Sequence, residues 1–218
     1  MLRCELGIDR WLVYGNSWGS TLALAYAERF PEAVGAIVLC AVTMSRPVEI
    51  EWLYRGVGRF FPEAWARFRT GVPPAERDGD LVEAYYRLLQ QPNPEVREKA
   101  AREWCAWEDT HVSLAPGHQS NPRYEDPEFR LRFARLVTHY WRHAAFLDDN
   151  QLLRDASVLD GIPGVLICGR YDVSSPLEAA WRLSQRWSTS HLQVIDDAGH
   201  GGGEHLVSAI VDALIRLG

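Results

Sequence analysis

Short apolar runs alternate with amphipathic ones near both ends of the chain, and the middle reads differently. Trp11-Leu12-Val13-Tyr14 has the pattern of a short buried strand, and Ser20 to Arg29 follows as an alanine- and leucine-rich helix that stops before Pro31. Val34-Gly35-Ala36-Ile37-Val38-Leu39-Cys40 reads as a second strand. From about residue 45 to 150 the strand pattern disappears. That stretch is helical in character, with frequent Trp and Arg and several Pro breaks. From about 151 the alternation returns, with Val165-Leu166-Ile167-Cys168 and His191-Leu192-Gln193-Val194-Ile195 as strands and Leu206 to Leu217 as an amphipathic helix. Short strands alternating with helices predict an α/β fold with a parallel sheet, and a helical insertion in such a core predicts a cap. The expected division is 1–44 and 151–218 for the two parts of the core, with 45–150 as the cap.

Composition narrows the function classes. The chain has 218 residues and 47% apolar content, enough to bury a substantial core. A net charge of −6 with no basic cluster argues against nucleic acid as a partner. No run is long and apolar enough for a membrane span, and Met1 to Asp9 lacks the apolar centre of a signal peptide. The four cysteines have no metal-like spacing; Cys40 and Cys168 fall in strand runs as core thiols, and a reduced, cytoplasmic setting is expected.

The chemistry starts at Gly15-Asn16-Ser17-Trp18-Gly19, a G-x-S-x-G between the first strand and the first helix. A serine on that turn is held in a strained backbone that lifts its hydroxyl off the sheet, glycines make room, and the helix N-terminus favours developing negative charge. The motif alone is weak, because small residues are common in turns; strand and helix on either side give it weight. A serine nucleophile needs a base, and the base an orienting acid. Asp172 follows the strand ending at Cys168, and His200 follows the strand ending at Ile195, in the order Ser, Asp, His. Asp172 also has the alternative role of capping a helix that starts near Pro176. Asp196 and Asp197 read as turn residues, and the other six histidines lack the strand-then-glycine setting of His200.

The run GNSWGSTLALAYAERFP (Gly15 to Pro31) resembles the nucleophile region of proline iminopeptidases, or prolyl aminopeptidases, which are α/β-hydrolases. GRYDVSSP (Gly169 to Pro176) and AGH (Ala198 to His200) resemble that family's acid and histidine segments. The resemblance implies an α/β-hydrolase fold, here the C-terminal half of its parallel sheet with a helical cap. It also implies a serine aminopeptidase that removes N-terminal proline from small peptides with a free N-terminus, without metal or organic cofactor. Ser17, Asp172 and His200 would be catalytic, and the Trp18 N–H would serve the oxyanion.

Within the cap stretch, Trp104-Cys105-Ala106-Trp107-Glu108-Asp109 resembles the family's W-x-x-W-E segment, so Glu108 matches a glutamate that binds the substrate's α-amino group. Ala134 to Trp141 resembles an A-R-x-E-x-H-Y-F run, with Val137 where the family has a second carboxylate and Trp141 where it has the Phe that closes the proline pocket. Ser175 stands at the position of the family's pocket cysteine. The family's HGGPG-type oxyanion loop occurs nowhere in the chain. A chain lacking that upstream region is expected to leave the elbow strand as a sheet edge and to hydrolyse weakly. Two alternatives stay open: another small-substrate hydrolase, esterase or amidase, favoured by Val137, and a non-catalytic fragment, favoured by the missing loop.

Overall fold

The computed structural model describes residues 2–218. In chain order the regular elements are α1 (Leu2–Glu5), β1 (Trp11–Asn16), α2 (Trp18–Arg29), β2 (Val34–Cys40), α3 (Pro47–Tyr54), α4 (Pro62–Thr70), α5 (Leu81–Leu89), α6 (Pro94–His111), α7 (Pro127–Arg142), α8 (Gln151–Arg154), β3 (Gly164–Gly169), α9 (Leu177–Ser184), β4 (Ser190–Ile195) and α10 (Glu204–Leu217). They fall into two compact units. One runs through Arg46 and resumes at Ser113–Ala115 and Asn150–Gly218; the other holds Pro47–Val112 and Pro116–Asp149.

The first unit is an α/β layer structure around a four-stranded, all-parallel sheet in the order β1-β2-β3-β4. The two inner strands are apolar along almost their whole length because helices cover both faces, as parallel sheets require. Val38 and Cys40 of β2, in register with Val165 and Ile167 of β3, pack beneath Leu206, Ala209 and Ala213 of α10. Those three residues recur at helical spacing, so one stripe of α10 enters the core. Strand β1 lies at one end of this strand order, with Tyr14 44% exposed along it.

The second unit is helical. Its prolines, which look like breaks in the sequence, mostly open helices: Pro94 and Pro127 follow Asn93 and Asp126, whose side chains accept from Glu95 N and Glu128 N. Its centre is aromatic. Phe68 stacks on Tyr85 (4.6 Å) and Trp107 (5.3 Å) and meets Trp104 edge-on (5.7 Å). The polar tips are used too: the Tyr85 hydroxyl donates to Phe68 O, and Trp107 Nε1 to Leu53 O.

Candidate active site

Ser17 is the single residue between β1 and α2, and its backbone sits at φ 54°, ψ −124°, a conformation side chains rarely adopt. Its N–H donates to Cys40 O (3.0 Å), and its carbonyl accepts from Ser20 N (2.8 Å). Gly15 is required at this turn, because a Cβ there would lie 2.4 Å from Gly19 O and 2.9 Å from Ala23 Cβ. Gly19 is not required for space: a Cβ there meets no atom within 4 Å. The expectation that both glycines make room is thus corrected to one. Trp18 is the first residue of α2, which puts its peptide at the positive end of the helix dipole.

Asp172 and His200 stand on two loops that touch backbone to backbone. A Cβ on Gly169 would come within 2.3 Å of Gly199 O, and Tyr171 N donates to Ala198 O (2.8 Å). The Asp172 side chain is fully buried, and its Oδ1 accepts from Ser175 N at 2.8 Å. His200 Nδ1 lies 3.1 and 3.0 Å from the two Asp172 oxygens, and His200 Nε2 lies 2.8 Å from Ser17 Oγ. Three groups far apart in the chain thus form one hydrogen-bonded line. Asp172 does not cap the following helix; the residue preceding α9 is Pro176. Asp196 pairs with Arg170 at the surface. Asp197 pairs with His205, whose pKa it raises by hydrogen bond and charge. Burial pushes the thiols of Cys40 and Cys168 up to about 12, so neither competes as a nucleophile near neutral pH.

One contributor escaped the sequence reading. Ser113–Ala115, inside the stretch assigned to the cap, belongs to the first unit. Leu114 N donates to Tyr171 O (3.0 Å), and a Cβ on Gly199 would sit 1.8 Å from Ser113 Oγ. These residues thus brace the loops that carry Asp172 and His200. The only signal in the sequence is a short Ser-Leu-Ala between a helix end and Pro116.

The remaining expected residues, Ser175 apart, lie in the second unit. Glu108 is buried near the end of α6, its Oε2 3.8 Å from His111 Nε2. Trp104 and Trp107 beside it belong to the aromatic core. Burial first, and then the Glu108 charge, raises the pKa values of both Cys105 and Tyr124. Trp141 lies 5.6 Å from Trp104 and lines a groove of about 260 Å³ with Ile50, Tyr54 and Val82. Val137 is half-buried on α7, and Ser175 is buried beside Asp172. Among the described residues no group of three or more His, Cys, Asp or Glu side chains is arranged to hold a metal ion.

Residues 1–203 match the family model described as the alpha/beta hydrolase fold. A probable proline iminopeptidase of Streptomyces coelicolor is 48% identical over 206 residues, covering 93% of this chain and 63% of that protein. Proline iminopeptidases of Xylella fastidiosa (strain Temecula1) and Xanthomonas citri are each 43% identical, covering 98% and 99% of this chain and 68% of theirs. The chain therefore spans 63 to 68% of the length of these relatives. Among solved structures, VinJ superposes with a TM-score of 0.62 at 18% identity, covering all of this chain and 70% of that one. An alpha/beta fold family hydrolase from Bacillus anthracis does so with a TM-score of 0.55 at 17% identity, over 99% of this chain and 68% of that one.

Proposed function

The chain belongs to the proline iminopeptidase family of α/β-hydrolases, and from that premise we propose that it hydrolyses the bond following the N-terminal proline of small peptides through Ser17, Asp172 and His200. The observation that carries this reading is the line from Ser17 Oγ through His200 to the buried Asp172 carboxylate, at 2.8, 3.0 and 3.1 Å.

In the proposed reaction the Asp172 carboxylate accepts a hydrogen bond from the Nδ1–H of His200 and so fixes the tautomer in which Nε2 carries a lone pair. Nε2 takes the proton of Ser17 as Oγ attacks the carbonyl of the N-terminal residue. The oxyanion develops beside the Trp18 N–H, where the α2 dipole stabilises it. His200 then protonates the leaving amine, and water releases the acyl group by the same steps in reverse. Every proton moves between these side chains, substrate and water, so the scheme needs no metal or organic cofactor. Glu108 accepts charge-assisted hydrogen bonds from the substrate's ammonium group, and Trp141 shapes the pocket for the proline ring. Four free thiols fit a reduced, cytoplasmic setting for this activity.

The test is turnover of a proline arylamide by the chain and by its Ser17→Ala variant. Abolished turnover in the variant supports the assignment, and equal turnover overturns it. Val137 favours a second reading, an esterase or amidase indifferent to the free amine, because one carboxylate alone holds an ammonium less firmly than two. Comparing the arylamide with its N-acetylated form and with a simple ester separates the two: strong preference for the free amine supports the aminopeptidase.

A further inference from the structure

Ser20 stands one residue beyond the Gly15–Gly19 motif, and its side chain is wholly buried. Its hydroxyl lies 2.6 Å from Ser17 O and 3.1 Å from Thr43 O, and it accepts from Thr43 N at 2.9 Å. A hydroxyl has one proton. The shorter contact takes it, so Ser20 donates to the Ser17 carbonyl and accepts from Thr43 N–H, while Thr43 O accepts from Thr21 Oγ1 at 2.9 Å. Thr21 Oγ1 also lies 3.1 Å from Ser45 Oγ.

We propose that Ser20 is a positioning residue for the nucleophile, its hydroxyl locking the Ser17 peptide to the loop that leaves β2. This rests on the reading of Ser17 as the nucleophile. A strained backbone persists only where its surroundings over-determine it. At Ser17 the amide end is held by Cys40 O, and the carbonyl end by Ser20 through both its N–H and its hydroxyl. The loop on the other side of the lock is strained as well, since Ala41 and Ser45 have φ values of 48° and 54°. Ser20 thus joins two segments that would each relax if released, and each denies the other its freedom. In Ser20→Ala the Ser20 N–H bond that starts α2 remains, while the tie from the Ser17 carbonyl to Thr43 is lost. The Ser17 peptide then turns, and Oγ drifts from its 2.8 Å contact with His200 Nε2. A misplacement of ~1 Å typically costs ~100-fold in reactivity.

The experiment measures phosphonylation of Ser17 by an alkyl fluorophosphonate, followed by intact mass, resolving the maximal rate from the half-saturating probe concentration. Thermal midpoints are recorded in parallel. Ser20→Ala is expected to lower the maximal rate ~10- to 100-fold at an unchanged half-saturating concentration. Ser20→Thr, which keeps the hydroxyl, is expected to restore most of that rate. Ser20→Cys, close in volume but a weak donor, is expected to fall between them and serves in place of Ser20→Ala if that variant does not fold. Labelling of Ser20→Ala at the parental rate overturns the inference, as does Ser20→Thr being as slow as Ser20→Ala. Absence of labelling in the unmodified chain instead removes the nucleophile assignment itself, and this inference with it.

Discussion

Replacing Asp172 with Asn tests the acid's role through a constraint specific to this site. The two side chains have nearly the same shape, but Asn must choose which way its amide faces. Ser175 N–H points at Oδ1 from 2.8 Å and can only donate, so the amide oxygen takes that position. The NH2 then occupies the place of Oδ2, 3.0 Å from His200 Nδ1. An NH2 at that distance donates to a lone pair on Nδ1, and the amide oxygen, 3.1 Å from Nδ1, already accepts from Ser175 N–H, so the imidazole proton is driven to Nε2. Nε2 would then donate to Ser17 Oγ across the 2.8 Å contact and could no longer accept its proton. Wrong-tautomer substitutions of this kind cost ~10⁴-fold in kcat, equivalent to about 5 kcal/mol of transition-state stabilisation. Stability should change little, because the packing volume is kept and a buried charge is removed. The assay is kcat on a proline arylamide, with the fluorophosphonate labelling rate as a substrate-independent check and the thermal midpoint as control. An Asn variant within tenfold of the parent would refute the tautomer argument, as would a loss that merely tracks unfolding.

Two further outcomes concern stability. Ala144, Ala145 and Phe146 follow one another with φ values of 45°, 57° and 59°, left-handed backbone without a glycine. Ala145→Gly should therefore stabilise the protein by about 1 kcal/mol, read as a rise of about 2–4 °C in Tm for a chain of this size; a fall in Tm would count against the left-handed turn. Glu28 on α2 has both carboxylate oxygens buried with no hydrogen-bond partner, and burial, then repulsion from Asp155, raises its pKa to about 8 against a partial offset by Arg154. A folded pKa above the unfolded value of 4.5 means the folded state holds the proton more tightly, so this stability is complete below about 4.5 and is lost as pH rises toward 8. Tm should decline between those pH values, and Glu28→Gln should flatten the decline; equal slopes in both proteins would sink the assignment.

How far the sequence reaches depends on how local the determining contact is. Strand β2 has the bounds its apolar run predicts, because seven consecutive residues serve two covered faces. Strand β1 runs two residues beyond its apolar run, since pairing of Gly15 with Leu39 and Asn16 with Cys40 carries the ladder to the elbow. Residues Asp172 and His200 were legible because each stands just past a strand end on a parallel sheet, a position that topology alone brings toward the elbow. The bracing by Ser113–Ala115 was not legible. It depends on Gly199 leaving room for the side chain of Ser113, and a glycine does not name its partner. The three left-handed residues after His143 are equally silent, since neither alanine nor phenylalanine carries a signal for positive φ.

The division of the chain into two units separates what is asked of each. Ser17, Ser20, Thr43, Asp172 and His200 all belong to the first unit, as do the loops that hold them. Glu108, Val137 and Trp141 belong to the second. Ser17, His200 and Asp172 are therefore held by contacts within the first unit, from Cys40 O at the elbow to Ser113 behind Gly199. A small phosphonylating probe reads that arrangement with no demand on amine recognition. Under the proposed roles, preference for a free over an acetylated N-terminus tests Glu108, and tolerance of residues other than proline tests Trp141 and Val137. Substitutions in α6 and α7 should accordingly change which substrates are taken while leaving the labelling rate of Ser17 close to the parental value. A Glu108→Gln variant that lost labelling and amine preference together would show that the two units do not divide the work in this way.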